Sequence, residues 1–331
     1  MMKKQNKIYL VIGIVALVLI VAIALFSIPK GEETIKLNVF TWAGYAPFIL
    51  AEEKGFFTEE GVNVETTWIE DVGERRVAMA SGNIDFESAT LDIVSLNIVN
   101  GVDEVVVLEL DRSNGGDGIV ATNDIKTVAD LKGKTIATRK GDPGHFLLLY
   151  LLHEAGLSEE DVIIQDMDAG AAGAAFVAGQ VDAAATWEPW ISQAVKREDG
   201  AVLITSADAP GLIVDVLAGR TEFVDSNPEE TKAVLRAWFK ALKFKDEHPE
   251  EAYEILANAM KLSVAEYKDI ESGLTWTYYE DNVEDFGTKE NPGKMYEVMR
   301  NAQKIWYEEG VSDRQINADD YIRPEFIQNL Y

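Results

Sequence analysis

The polarity of the chain changes sharply near residue 30. Residues 8–28 form one unbroken apolar run, preceded by Lys3, Lys4 and Lys7. At ~1.5 Å per residue, about 21 helical residues reach roughly 31 Å, enough to cross a bilayer core. Lysines on one flank place the N-terminus on the cytoplasmic side. Residues 1–30 therefore read as a membrane anchor or signal segment, with an uncleaved transmembrane helix over residues 8-28 preferred. Cleavage is the alternative: Ala22-Ile23-Ala24 fits a small-x-small site, yet the apolar run continues through Leu25 and Phe26. Either form leaves residues 31–331 outside the cytoplasmic membrane.

After a linker over residues 31–34, short apolar stretches alternate with helical patterns. Residues 36–42, 63–69, 85–89, 104–110, 119–122, 135–138, 162–166, 182–186 and 202–205 read as strands. Residues 47–54, 72–81, 91–100, 146–155, 171–178 and 189–196 read as helices. This alternation predicts an α/β fold whose sheets are mainly parallel, with helices on both faces. Beyond residue 220 the pattern becomes helical over residues 229–246, 250–260, 264–273 and 294–309. In the first of these Val234, Leu235, Trp238, Phe239 and Leu242 share one face, and Asn227-Pro228 supplies the start. The aromatic residues of this part read as core.

Composition narrows the chemistry. A chain of 331 residues has the length of about two domains. Cysteine is absent, which excludes disulfides, thiolate metal sites, a thiol nucleophile and a lipid-modified N-terminal cysteine. Thirty Lys and Arg stand against 57 Asp and Glu, a net charge of -27. Residues 1–30 hold four lysines and no acid, so the rest carries 26 bases against 57 acids, or -31. Such a surface repels nucleic acid. Diffuse charge of this kind mainly serves solubility and also attracts cations.

Five segments, in order, resemble one family. They are Trp42-Ala43-Gly44-Tyr45-Ala46-Pro47, Leu50 to Phe57, Gly116-Asp117-Gly118-Ile119-Val120, Val128 to Lys134, and Phe176 to Ala184. Together they are similar to the solute-binding proteins of ABC importers for taurine, alkanesulfonates, nitrate and thiamine-pyrimidine precursors, over about residues 36–310. The resemblance implies a type II periplasmic-binding-protein fold. Two α/β lobes, residues 36–113 plus 214–331 and residues 114–213, would be joined by crossings near 111–118 and 210–215. It also implies a small-molecule solute, an ABC permease with its ATPase as partner, no cofactor, no metal and a monomeric state.

In such folds ligands bind beyond the carboxyl ends of strands, and nine residues lie there. Trp42 and Tyr45 follow the first strand and offer an aromatic wall and a hydroxyl. Ser88 and Thr90 follow the third, where Thr90 serves equally as a helix N-cap. Asp117 sits in the glycine-rich first crossing, where a hinge turn is the competing role. His145 lies at a strand-to-helix junction, but Asp142, Pro143 and Gly144 replace the small hydroxyl residues common there in the family. That departure makes an anionic group at this spot unfavourable. Trp187 and Glu188 follow another strand; Glu188 also suits the first turn of a helix. Asp215 lies at the return crossing.

Asp117, Glu188 and Asp215 would be costly to bury without partners. They point to a cationic or zwitterionic solute, taurine-like or amine-bearing, unless Arg112, Arg139 or Arg220 neutralises them. A simple anion such as an alkanesulfonate or nitrate is the alternative, and a tethered ligand sensor is another. Histidine occurs only at 145, 153 and 248, and no HExxH, GxSxG or phosphate-loop motif is present. Catalysis is not expected, although thiamine-pyrimidine synthases share the fold.

Overall fold

Two mixed β-sheets organise the protein in a computed structural model that describes residues 34–331. The apolar run over residues 8–28, and with it the anchor or signal reading, lies outside the described residues. Among the described residues no helix is long and apolar enough to cross a membrane.

The first sheet has six strands: β1 (Ile35–Val39), β2 (Val64–Trp68), β3 (Phe86–Thr90), β4 (Glu104–Ser113), β10 (Val214–Arg220) and β11 (Leu274–Trp276). Their order is β11-β4-β10-β3-β1-β2. The second has β5 (Asp117–Thr122), β6 (Thr135–Thr138), β7 (Ile163–Asp166), β8 (Ala183–Trp187) and β9 (Gly200–Thr205), in the order β7-β6-β8-β5-β9. The Val- and Leu-rich cores of β4 and β10 are buried on both faces, as central strands of a helix-covered sheet must be.

The sheets are mixed rather than mainly parallel. β1 pairs parallel with β2 and β3, and β6 with β7 and β8. β10 runs antiparallel to β3 and β4, and β5 antiparallel to β8 and β9. The reason lies in the connections. β4 passes into β5 through residues 114–116, and β9 returns to β10 through residues 206–213, so these strands arrive from the opposite sheet. Only the helical crossover within one sheet imposes parallel pairing.

The helical part forms core, as its aromatic periodicity indicates. Trp238 of the helix Pro228–Glu247 is fully buried against Phe48, ring centroids 4.5 Å apart. Trp306 of the helix Lys294–Glu308 is buried against Phe146 at 5.0 Å. Its indole N–H donates to the Asp92 carbonyl at 3.0 Å. The C-terminal helix thus packs between the helices Leu91–Val99 and Pro143–Glu154, one from each sheet.

Candidate functional site

Strand register assembles the site. Across the first sheet Thr90 of β3 stands opposite Asp215 of β10, and Asp215 opposite Asp111 of β4. In the second sheet Asp117 of β5 stands opposite Trp187 of β8. The two rows meet where the chain crosses between sheets. There Phe40, Trp42, Tyr45, Thr90, Asp117, Pro143, Trp187 and Asp215 enclose a cavity of about 10 Å³, room for roughly one water. All eight are buried. Six of the nine residues singled out by sequence position therefore surround one space: Trp42, Tyr45, Thr90, Asp117, Trp187 and Asp215.

Two glycines let the wall close. A Cβ on Gly44 would lie 1.9 Å from Asp111 Oδ2, and one on Gly116 would lie 2.4 Å from the Trp42 ring. Only a residue without a Cβ fits either place, which explains both glycines in Trp42-Ala43-Gly44 and Gly115-Gly116-Asp117.

The indole and phenol donors of the wall are committed to the protein. Trp42 Nε1 donates to both Asp111 oxygens, at 3.2 and 3.3 Å. Trp187 Nε1 donates to the Thr41 carbonyl at 2.8 Å, and the Tyr45 hydroxyl donates to Asp215 Oδ1. Pro143 has no N–H. The acceptors are not committed. Asp215 Oδ2 and Thr90 Oγ1 are buried without a hydrogen-bond partner among the described residues. The same holds for both Asp92 oxygens and Asp142 Oδ1, which stand at the starts of the two helices bordering the cavity.

Five buried carboxyl groups thus share one region. Burial pushes Asp92, Asp117 and Asp142 up to about 7. Burial and repulsion from Asp117 raise Asp111 to about 8, although the Trp42 N–H pulls the other way. Asp215 is raised well above the carboxylate range by burial, then by repulsion from Asp111. Burial is the largest cause at all five, and only Asp142 has cations close enough to oppose it, Arg75 and Arg139.

The three arginines named in the sequence are ion-paired to other acids, although Arg139 still acts on Asp142 from that position. Arg112 pairs with Glu109 at 2.6 Å and with Asp285. Arg139 pairs with Asp71 at 3.2 Å, and Arg220 with Asp85 at 3.1 Å. Arg75 lies behind the wall with its guanidinium carbon 4.0 Å from the centre of the Phe40 ring, donating to the Glu70 carbonyl at 2.7 Å.

Three sequence candidates have other surroundings. Glu188 accepts from the Ser192 N–H at 3.1 Å and the Ser192 hydroxyl at 2.8 Å, so it caps the turn at Trp190–Ala194 and does not line the cavity. His145 Nδ1 accepts the Gly141 N–H at 3.1 Å, which leaves the ring proton on Nε2, 3.0 Å from Glu159 Oε2. It borders a different, open cavity. Ser88 is buried two positions before Thr90 on β3, its hydroxyl without a partner among the described residues.

Sequence reasoning missed Phe40 and Pro143 as walls and Asp92 and Asp111 as members of the acidic group. A signal was present: Asp92 interrupts the apolar helix Leu91–Val99, and Asp111 closes an apolar strand. An acid in a fully buried run needs a reason.

Residues 42–252 match the model of the family described as NMT1/THI5 like. The chain belongs to the NMT1/THI5-like family. One relative of this NMT1/THI5-like chain is an Escherichia coli protein named for binding aliphatic sulfonates. It is 30% identical over 262 residues, 77% of this chain and 82% of that one. The fold is that of periplasmic binding proteins. The alkanesulfonate-binding protein SsuA from Xanthomonas axonopodis pv. citri, solved bound to MOPS, superposes with a TM-score of 0.74 at 18% identity, covering 88% of this chain and 98% of SsuA. The periplasmic nitrate-binding protein NrtA from Synechocystis PCC 6803 gives 0.70 at 19% identity, covering 91% and 88%.

Proposed function

We propose that this chain is the extracytoplasmic solute-binding component of an ABC importer and that it captures a small cationic or zwitterionic solute. Two lobes, residues 36–113 with 214–331 and residues 114–213, close over the solute and present it to a membrane permease. The protein acts as a monomer, held at the outer face of the membrane by residues 8–28 or released if they are cleaved. No bond of the solute is broken.

One observation carries the choice of charge. Every indole and phenol donor of the cavity wall is spent on a protein acceptor, while Asp215 Oδ2 lies buried with no donor to accept from among the described residues and the Thr90 hydroxyl beside it is also without a partner there. An anion would meet acceptors and carboxylates; a cation would supply the missing donors and offset the cost of burying the acids. A sulfonate or nitrate is the second reading, favoured by what the relatives are named for.

A thermal-shift screen separates the two, because binding stabilises the folded state by mass action. Taurine, an alkanesulfonate, nitrate, guanidinium and a betaine-like amine are compared at equal concentration. A rise in melting temperature confined to solutes with a positive group supports the cation reading. A simple anion as the strongest stabiliser overturns it.

A further inference from the structure

Resting on the cation reading of the cavity, we infer that the charged end of the solute is a planar, N–H-bearing cation, a guanidinium or amidinium, held between Asp117 of one sheet and Asp215 of the other.

Asp215 Oδ2 is buried without a hydrogen-bond partner among the described residues, so the ionised carboxylate calls for an N–H from the solute, and the Thr90 hydroxyl, also without one, can accept a second. A quaternary ammonium has no N–H and would leave the Asp215 oxygen buried and unpaired. Among the described residues no three carboxylates or histidines are grouped closely enough to hold a metal ion. The acids surround a space instead of converging on a point.

A primary ammonium and a planar amidinium remain, and hydration decides between them. The walls are buried and the space between them is about 10 Å³, so a cation that enters parts the walls and gives up nearly all of its water. An ammonium is compact and strongly hydrated; a guanidinium is more weakly hydrated and gives up its water at lower cost. The ring walls point the same way. Trp42 and Trp187 turn their indole nitrogens to Asp111 and Thr41, which leaves carbon surface toward the cavity. Delocalised planar cations stack on such surface while their edges reach carboxylates, frequently in bidentate fashion. Arg75 on Phe40 is an instance beside this same wall. Phe40 also stands nearly perpendicular to Tyr45 and to Trp187, at 73° and 68°, so the rings form corners that confine a small solute.

Guanidinium, urea and nitrate are near-isosteric planar molecules with positive, zero and negative charge. Acetamidinium, methylammonium and tetramethylammonium vary shape at constant charge. Calorimetric titration of the full chain in mild detergent with these six, checked by thermal shift, tests the inference. Guanidinium or acetamidinium is expected to saturate one site, about tenfold or more tighter than methylammonium, with no saturation by tetramethylammonium, urea or nitrate. Asp215→Asn and Thr90→Val are each expected to weaken guanidinium binding about tenfold, without lowering the melting temperature of the free protein. Methylammonium or tetramethylammonium binding as tightly as the planar cations overturns the planar assignment and leaves the cation reading standing. Nitrate or a sulfonate binding in place of guanidinium overturns the cation reading itself. Silence from both planar cations overturns the inference whatever the variants do.

Discussion

The indole nitrogen of Trp187 donates to the main-chain oxygen of Thr41 at 2.8 Å, a hydrogen bond from the second sheet to the loop after β1 of the first. The Arg139–Asp71 pair spans the same seam at 3.2 Å. Both contacts join the two sheets beside the cavity. If the lobes close over the solute as proposed, its affinity includes the free energy of making these bonds. Trp187→Phe keeps a ring at the wall and deletes the bond. A neutral hydrogen bond is worth about 1 kcal/mol, so guanidinium affinity in calorimetry should fall about fivefold. An unchanged affinity would show that closure does not depend on this bond.

The buried acids tie stability to pH. Asp92, Asp117 and Asp142 titrate near 7 and Asp111 near 8 in the folded chain, against about 4 when unfolded. Between those limits the folded state holds more protons than the unfolded state, so stability falls as pH rises. The contribution is complete below about pH 4 and is lost as pH passes through 7 to 8. Glu159 behaves oppositely: its hydrogen bond from His145 lowers it to about 2. Its contribution is present above about pH 4.3 and lost only as pH falls toward 2, outside this window. The ligand-free protein should melt higher at pH 5.5 than at pH 8 in constant high salt, and Asp111→Asn should flatten the difference. A melting temperature that climbs with pH would contradict the placement of these acids.

Cation binding must answer the same titration with the opposite sign. A cation pairs with carboxylates and displaces their protons, so guanidinium affinity should increase from pH 5.5 to pH 8. Calorimetry in buffers of different ionisation enthalpy should register proton release. Proton uptake, or affinity that declines over this range, would mean that the solute does not meet the acids.

Much of this arrangement could be read from the residue pattern, and the parts that could not share one cause. Nine strand positions followed from short apolar stretches, and the crossing near residues 111–118 from its glycines, because both are local properties; β10 and β11 were not read as strands. Trp42, Thr90 and Trp187 could be located because residues at the carboxyl ends of strands are carried to one end of a sheet, and Asp117 and Asp215 because they begin the strands that leave the two crossings. Glu188 shows where that reasoning stops. It follows β8 as Trp187 does, but its side chain turns back to Ser192, a choice set by the next helix turn. Asp92 and Asp111 look like isolated acids in apolar runs. Only the pairing of β4 with β10, and the approach of the second sheet, brings them together. The antiparallel direction of β5 and β10 was likewise hidden, since apolar periodicity is the same for either direction of pairing.

Gly44 and Gly116 should be the least replaceable small residues of the site. An alanine methyl at 44 would overlap the Asp111 carboxylate, and one at 116 the Trp42 ring, with the Gly273 carbonyl at 2.9 Å blocking retreat. Overpacking of this kind costs about 1–3 kcal/mol. Gly44→Ala and Gly116→Ala should each lower the melting temperature and displace Trp42, seen as a change in its fluorescence. Gly101→Ala is a control with open space around its Cβ and a left-handed backbone, φ 90°, which Gly44 and Gly116 do not have. It should cost stability and leave the Trp42 signal unaltered. If Gly116→Ala also spares that signal, Trp42 does not pack over the crossing.

His145 and Glu188 separate structural support from solute contact. Both are bonded within the protein, His145 between Gly141 and Glu159, and Glu188 to Ser192. Neither lines the sealed cavity. Removing His145 leaves the buried Gly141 N–H without its partner, which costs about 1–3 kcal/mol, while the partly exposed Glu159 can turn to water. His145→Ala should accordingly melt earlier, while guanidinium affinity at a temperature where the variant is folded changes less than about twofold. Glu188→Gln keeps an acceptor for Ser192 and should alter neither quantity appreciably. A tenfold loss of affinity in Glu188→Gln, with stability intact, would place that carboxylate against the solute and require the loop after β8 to rearrange when the solute enters.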